Sequence, residues 1–208
     1  MSVVGHADLS FVLVTRIFLL RHGQSEWNAL GRWQGQANPP LTELGRLQAL
    51  HGASRIGSVD AIACSTLERA QVTASIISQQ LGIGPVIEFP QLVERSAGEW
   101  EGLTRPEIED QYPGFLSEHR RPPGWESDEH LVERASAAIT ALAMSIDGDI
   151  VAVTHGGLIY AIEKHLGAPF ATIANLGGRW VEVVEDRWTL GERLNLLEGA
   201  EITVPEQI

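Results

Sequence analysis

The sequence predicts an α/β fold built on a parallel or mixed β-sheet covered by helices, and two segments with a common ending are the main reason. Ile17-Phe18-Leu19-Leu20-Arg21-His22-Gly23 and Ile150-Val151-Ala152-Val153-Thr154-His155-Gly156-Gly157 each run an apolar stretch straight into histidine and then glycine. A continuous aliphatic run bounded by turn residues is what a strand buried on both faces requires. A third run, residues 59–64, has the same character and leads into residues with helical spacing. Each histidine then sits at the carboxyl end of its strand, the edge at which open α/β sheets bind ligands.

Taken in order, residues 1–10 show neither a strand nor a helix period, and strand signal begins only near Val12. Residues 1–14 are therefore expected to be a loosely ordered lead-in, and 15–208 a single domain. After the Asn38-Pro39-Pro40 turn, residues 42–56 predict a helix, with Thr42 as N-cap and Leu44, Leu47 and Leu50 on one face. The strand at 59–64 is followed by a helix capped by Ser65 or Thr66, with Leu67, Ala70, Ala74 and Ile77 facing inward at a period near 3.6. Residues 85–89 predict a short strand, 90–102 a loop and 106–111 at most a short helix. An irregular stretch through Pro122-Pro123-Gly124 then reads as a surface excursion over the sheet's edge. A long helix over 128–146, a strand over 149–154 and a helix over 158–166 follow. The alternating runs 180–184 and 188–194 around Glu185-Asp186 predict a hairpin. No internal repeat, linker or low-complexity segment interrupts this order.

With 208 residues, 44% of them apolar, the chain is long enough to bury about 70% of its unfolded surface around one core. The lone Cys64 excludes an internal disulfide framework, and its apolar neighbours predict a buried structural thiol in a reducing, cytoplasmic setting. No stretch approaches the ~18 to 20 apolar residues of a membrane-spanning helix, and residues 11–14 are too short, with no basic region before them, for a secretory signal. A soluble protein is expected. The formal charge of −12 argues against nucleic acid and anionic membranes as partners, which demand a basic face. An anionic substrate must then be held by a local basic pocket working against the global field.

Such a pocket can be assembled from the strand ends. His22 lies between Arg21 and Gly23, with Asn28 six residues on and Gln34-Gly35 beyond, and Arg69 sits one turn into the helix after the 59–64 strand. If these strands are adjacent and parallel, Arg21, His22, Arg69 and His155 face one edge. Arginine's planar fork suits phosphate, so two arginines among neutral imidazoles make a site for a dianionic phosphoryl group. The chemistry such a group supports is phosphoryl transfer to a histidine nitrogen, with no metal required. Arginines and the second histidine stabilise the charge on the equatorial oxygens. A carboxylic acid protonates the leaving alkoxide, and Glu94, in the loop after the third strand, is placed for this, with Glu99 and Glu101 as nearby alternatives. A zinc site is the other use for two histidines, but no carboxylate or thiol lies at ligand spacing from either. His51, His119, His130 and His165 have no motif around them and His6 falls in the lead-in. The six tryptophans, Trp27, Trp33 and Trp100 among them, are assigned first to packing of core and lid.

Over residues 15–194 the chain resembles the histidine phosphatase superfamily, with its phosphoglycerate mutase-like fold. The first block is Arg21-His22-Gly23-Gln24-Ser25-Glu26-Trp27-Asn28, followed by Gln34-Gly35 and Pro40-Leu41-Thr42-Glu43-Leu44-Gly45. The second is Ser65-Thr66-Leu67-Glu68-Arg69-Ala70-Gln71-Val72-Thr73-Ala74. The third is Leu92-Val93-Glu94-Arg95-Ser96-Ala97-Gly98-Glu99-Trp100-Glu101-Gly102, and His155-Gly156-Gly157 completes the set. Any one tripeptide is weak, but four blocks in order are specific. The resemblance implies a three-layer sandwich around a mostly parallel mixed sheet. It also implies His22 as nucleophile, Glu94 as proton donor, and Arg21, Arg69 and His155 as phosphate ligands, with no cofactor or metal. Asn28, Gln34, Gly35 and Gly156 would line the pocket. Thr66 replaces the usual proline, Val72 the usual glutamine, with a consequence expected for support behind Arg69, and Asn38 stands where aspartate is common.

Mutases of this superfamily resemble Glu-Arg-His-Tyr-Gly at the acid block and carry a further insertion after a later Arg-Arg pair. Here Glu94-Arg95-Ser96-Ala97-Gly98 stands at the block, and Pro122-Pro123-Gly124 leads almost directly into the 128–146 helix. This favours water as the final acceptor, hence a phosphomonoesterase acting on small phosphorylated metabolites. Arg120-Arg121 echo the mutase pair that binds a substrate carboxylate, which makes a phosphorylated acid a candidate substrate. Arg105 is placed either at the cleft mouth or in solvent. A cofactor-dependent phosphoglycerate mutase and a non-catalytic phosphate- or partner-binding module are the two alternatives, and a homodimer is an assembly compatible with either enzyme.

Overall fold

A computed structural model describes residues 14–185 and 187–200. Residues 1–13 of the predicted 1–14 lead-in, Asp186 of the hairpin turn and residues 201–208 of the predicted 15–208 domain lie outside the described residues. Val14, which the sequence places at the end of the lead-in, is instead the first residue of β1 (Val14–Arg21). The order continues α1 (Glu26–Ala29), α2 (Glu43–Ala53), β2 (Ala61–Cys64), α3 (Glu68–Leu81) and β3 (Ile87–Glu88). After two 3-10 turns, Pro90–Leu92 and Gly98–Trp100, come α4 (Arg105–Gln111), α5 (Asp128–Ser145), β4 (Asp149–Thr154) and α6 (Gly156–His165). The hairpin is β5 (Gly177–Val184) and β6 (Arg187–Asn195).

The strands form one six-stranded sheet in the order β3-β2-β4-β1-β5-β6. β3, β2, β4 and β1 run parallel, and β5 and β6 join antiparallel at one side. The sheet is mostly parallel and mixed, as expected. Because β1 and β4 carry apolar residues on both faces, the chain must cover both faces with helices. Ile17, Leu19, Ile150 and Ala152 pack under Leu131, Ile139 and Leu142 of α5 and Leu158 and Ile162 of α6. Phe18, Leu20, Val151 and Val153 pack under Ala53 of α2 and Ala70, Ala74 and Ile77 of α3. Each fully buried Leu or Ile adds about 1.5–3 kcal/mol relative to exposure. The result is the three-layer sandwich.

Helix α2 presents a different face from the one its leucines suggest. Leu47 and Leu50 are about half exposed, and Gly45, Gln48, Ala49, Gly52 and Ala53 face inward. The reason is proximity. Gly23 and Gly45 approach so closely that a Cβ on either would overlap backbone of the other's segment, Gly45 O or Gln24 O. The Gln48 side chain accepts a hydrogen bond from Gln24 N at 2.9 Å. A leucine face does not fit that contact. Thr42 does cap the helix, its Oγ1 accepting from Gly45 N at 3.0 Å.

The start of α3 also departs from expectation. Neither Ser65 nor Thr66 is its N-cap; Leu67 is, without a side-chain bond, and the Asn38 side chain accepts from Glu68 N at 2.9 Å instead. Ser65 Oγ turns inward and accepts from Leu67 N at 3.2 Å. Above the sheet's carboxyl edge, the segment after β3 and the irregular stretch 112–127 form a separate cap. Its core is aromatic, with Trp100 and Ile108 buried among Trp33, Tyr112, Phe115 and Trp125. Among the described residues, no helix is long and apolar enough to cross a membrane.

Candidate active site

The parallel register of β1 and β4 pairs Arg21 with Thr154, so the next residue of each strand, His22 and His155, leaves the sheet side by side. Their rings lie 5.1 Å apart, centroid to centroid, and both are buried. β2 is the neighbour of β4 on its other side, so α3, which begins just beyond β2, brings Arg69 to the same edge. Four residues from three distant segments therefore meet as the strand order dictates.

His22 Nδ1 lies 2.7 Å from Gly23 O. A carbonyl only accepts, so Nδ1 carries the proton and Nε2 carries the lone pair. Arg69 Nε approaches that lone pair at 3.2 Å, while its Nη1 and Nη2 donate to Ala37 O at 2.7 Å and Gly35 O at 2.9 Å. The support behind Arg69 thus comes from the 35–37 carbonyls and not from position 72. Arg21 Nη1 donates to Ile173 O at 2.6 Å. His155 Nε2 lies 2.8 Å from Ser65 Oγ.

These groups concentrate positive charge in a buried place. Arg69 is pushed down to about 10 by burial and by the charge of Arg21, against the attraction of Glu94 and Glu101, and Arg21 is lowered by burial too. Arginine's intrinsic basicity keeps guanidiniums charged at neutral pH. Burial, then Arg69 and Arg21, hold the His22 imidazole well below its usual range, while the Gly23 carbonyl acts weakly in the opposite sense. Burial and Arg69 do the same to His155. Arg21 Nε and His155 Nδ1 are buried and have no hydrogen-bond partner among the described residues. A buried donor left unmade costs about 1–3 kcal/mol. A dianion at this edge would accept from Arg21 Nε, and from His155 Nδ1 in the tautomer in which the Ser65 hydroxyl donates to Nε2, and would relieve the repulsion between the arginines.

Glu94 reaches the first turn of α6, next to His155 in sequence. Its Oε2 accepts from Gly157 N at 3.0 Å and its Oε1 from Arg95 N at 2.7 Å. The contact needs glycine at 157, since a Cβ there would come within 2.5 Å of Glu94 Oε1. Glu99 and Glu101 are committed elsewhere. Glu99 accepts from the Tyr112 hydroxyl at 2.7 Å, and Glu101 accepts from Gln36 N at 2.8 Å.

Beside these residues opens a cleft of about 820 Å³, lined by Arg21, Asn28, Gln34, Gly35, Glu94 and Gly156 and by the aromatic residues Trp27, Trp33, Trp125, Tyr160 and Phe170, while His22, Arg69 and His155 are not among its lining residues. Asn28 and Gln34 are tied to the capped turn of α1, Asn28 Oδ1 accepting from Ser25 N at 3.2 Å and Gln34 Oε1 from Ser25 Oγ at 2.6 Å. Of the Arg120-Arg121 pair only Arg121 lines the cleft, its guanidinium over Trp125 at 4.7 Å. Arg120 turns away, pairing with Glu118 at 2.7 Å and lying over Phe115 at 3.9 Å. Gly114 and the turn at His119, with its positive φ of 55°, direct it there. Arg105 does not line the cleft.

Three further residues, to none of which the sequence assigns a role in the site, support it. Asn175, in the loop before β5, donates from Nδ2 to His22 O at 2.8 Å and lies 3.4 Å from Asn28 Oδ1. Thr73 Oγ1 accepts from Gly23 N at 3.1 Å. Ser65 orients His155. Ser65 and Thr73 lie within a quoted motif and were legible as part of it, whereas no local pattern marks Asn175. Among the described residues, no three His, Cys, Asp or Glu stand together as a metal would need.

A strand-end histidine with a lone pair, two buried nitrogens without partners and a nearby carboxyl suit phosphoryl transfer. Comparison with known proteins agrees. Residues 17–193 match the model of the histidine phosphatase superfamily, branch 1. A metal-independent phosphoserine phosphatase of Arabidopsis thaliana is 38% identical over 190 residues, covering 85% of this chain and 80% of that one. A glucosyl-3-phosphoglycerate phosphatase of Mycobacterium tuberculosis is 34% identical over 180 residues, covering 78% and 80%. The native structure of a mycobacterial glucosyl-3-phosphoglycerate phosphatase superposes with a TM-score of 0.76 at 29% identity, over 88% of this chain and 99% of that one. The chain belongs to the histidine phosphatase superfamily and is a phosphatase, a phosphoric monoester hydrolase.

Proposed function

We propose that the chain hydrolyses small phosphorylated metabolites through a phosphohistidine on His22, and the observation that carries this is the pair of unpartnered buried nitrogens, Arg21 Nε and His155 Nδ1, beside a His22 whose Nε2 bears the lone pair. In the first step His22 Nε2 attacks phosphorus as the bond to the leaving oxygen breaks, and Glu94 gives that oxygen a proton. Arg21, Arg69 and His155 stabilise the charge on the three equatorial oxygens without a metal. In the second step Glu94 takes a proton from water, which attacks the phosphohistidine, releasing phosphate and restoring both groups.

Arg121 stacked on Trp125 favours a substrate that carries a carboxylate or other anionic group beyond the phosphoryl. The names of the relatives point the same way, since phosphoserine and glucosyl-3-phosphoglycerate are both phosphorylated acids. Arg120 is not part of this reading. The net charge of −12 speaks against nucleic acid as substrate, and the single buried thiol suits a cytoplasmic setting.

The test is phosphate release across a panel of phosphomonoesters, phosphoserine and 3-phosphoglycerate included, in EDTA. Release is expected from wild type, none from His22→Ala, and a loss on the order of a hundredfold from Arg69→Ala or His155→Ala. Normal activity in His22→Ala would sink the mechanism. Primer-dependent conversion of 3- to 2-phosphoglycerate in place of release would make the protein a mutase.

A further inference from the structure

A catalytic acid has to be held to within about half an ångström, yet Glu94 lies on a segment with little regular structure, between two 3-10 turns. Two bonds secure its margins. Thr154 Oγ1 donates to Leu92 O at 2.7 Å, and Gln36 Nε2 to Glu94 O at 3.0 Å. The larger share comes from one side chain outside the site, Arg134 of α5. Its Nη1 donates to Gln91 O and to Val93 O, each at 2.7 Å, and its Nη2 donates to Glu94 O at 2.9 Å. The opposite side of the guanidinium holds Glu126, Nε on Oε1 at 2.7 Å and Nη2 on Oε2 at 2.8 Å. Glu126 in turn accepts from Ser96 N at 3.2 Å, two residues past Glu94. The guanidinium therefore ties down the chain on both sides of the acid. Only a planar fork can do so, because a lysine ammonium supplies a point charge and three donors that cannot span this set.

We propose that Arg134 is the positioning residue for the acid, fixing Glu94 against Gly157 and the leaving oxygen by clamping the carbonyls of Gln91, Val93 and Glu94. The proposal rests on the reading of Glu94 as acid. Arg134 touches no reacting atom, and it belongs to none of the four sequence blocks.

The experiment follows kcat/KM, which reports the step that expels the leaving group and not the later hydrolysis common to all substrates, across substituted phenyl phosphates of increasing leaving-group basicity in wild type, Arg134→Lys, Glu94→Gln and the double variant. Arg134→Lys keeps the charge, which is one of those that lower His155, so only the fork is lost. The expected result is a loss on the order of tenfold with phenyl phosphate and under about threefold with p-nitrophenyl phosphate, with inhibition by inorganic phosphate unchanged. In the Glu94→Gln background the same change is expected to add less than about twofold, because the group it positions is already gone. Equal losses along the series, or losses that multiply in the double variant, would show a general structural role and overturn the proposal. If Glu94→Gln shows the leaving-group dependence and Arg134→Lys does not, this inference alone falls. If Glu94→Gln shows none, the acid reading falls and takes this one with it. Should Arg134→Lys not fold, Glu126→Gln loosens the same clamp from its other side and is expected to shift the series in the same direction; an unshifted series there counts against the proposal.

Discussion

His22 shows how burial and charge set the working range of a nucleophile. Burial, Arg69 and Arg21 all push its imidazole well below the usual range. Since the neutral ring attacks, a lowered pKa preserves the active form as pH falls. The profile of kcat/KM reports the free enzyme, so kcat/KM for p-nitrophenyl phosphate is expected to stay level through about pH 6.5 once corrected for the second ionisation of the phosphate near ~6. The fall belongs at more acid pH. A corrected titration centred near 6.5 would mean that His22 behaves as in solvent and that the cation cluster does not act on it. At this scale the sequence was highly legible. His22, His155, Arg69 and Glu94 were identified from their blocks, and the structure brings them together. Arg120 was not separable from Arg121 by sequence, because adjacent arginines differ only in where the backbone turns, and that turn depends on Gly114 and His119. Asn175 was invisible because its partners, His22 O and Asn28 Oδ1, are about 150 residues away in sequence.

At the scale of elements, the strands that carry the site were readable because a strand buried on both faces leaves a continuous apolar run, as β1 and β4 do. Helix α2 was not. Its leucine spacing marks one face, but the close approach of Gly45 to Gln24 turns the small residues inward and leaves Leu47 and Leu50 half exposed. The two readings give different stabilities. An inward Leu47 would cost about 2–5 kcal/mol on truncation to alanine, whereas the observed one is expected to cost well under about 1 kcal/mol. Gly45→Ala is expected to do the reverse. Its new Cβ meets the Gln24 carbonyl, a backbone atom that cannot swing aside, so overpacking of about 1–3 kcal/mol outweighs the helix-propensity gain of up to about 1 kcal/mol. Because Gln24 lies two residues from His22, activity is expected to fall with stability. Urea unfolding of the two variants, with turnover measured alongside, checks both; a neutral Gly45→Ala or a costly Leu47→Ala would return the leucine face to the core.

For the molecule as a whole, the parallel part of the sheet and its two helical layers followed from the sequence, but the cap over the carboxyl edge did not resolve. Residues 90–127 have few regular elements, and their order comes from tertiary contacts such as the aromatic cluster around Trp100 and the Arg134 clamp. The net charge was legible and has a consequence only the assembled site makes specific. A chain of charge −12 repels a phosphate monoester at long range, while the buried Arg21 and Arg69 attract it at short range. Salt acts unequally on the two. The screening length shortens from about 30 Å at 0.01 M to about 8 Å at 0.15 M, which weakens the interaction of exposed, distant charges far more than that of buried ones. Raising sodium chloride over this range is therefore expected to increase kcat/KM for a dianionic substrate by a few-fold, with kcat little changed because bound substrate no longer feels the outer surface. A fall in kcat/KM would mean that the cleft's own cations, Arg121 at the rim included, already dominate the approach, and that the acidic surface is arranged away from the cleft mouth.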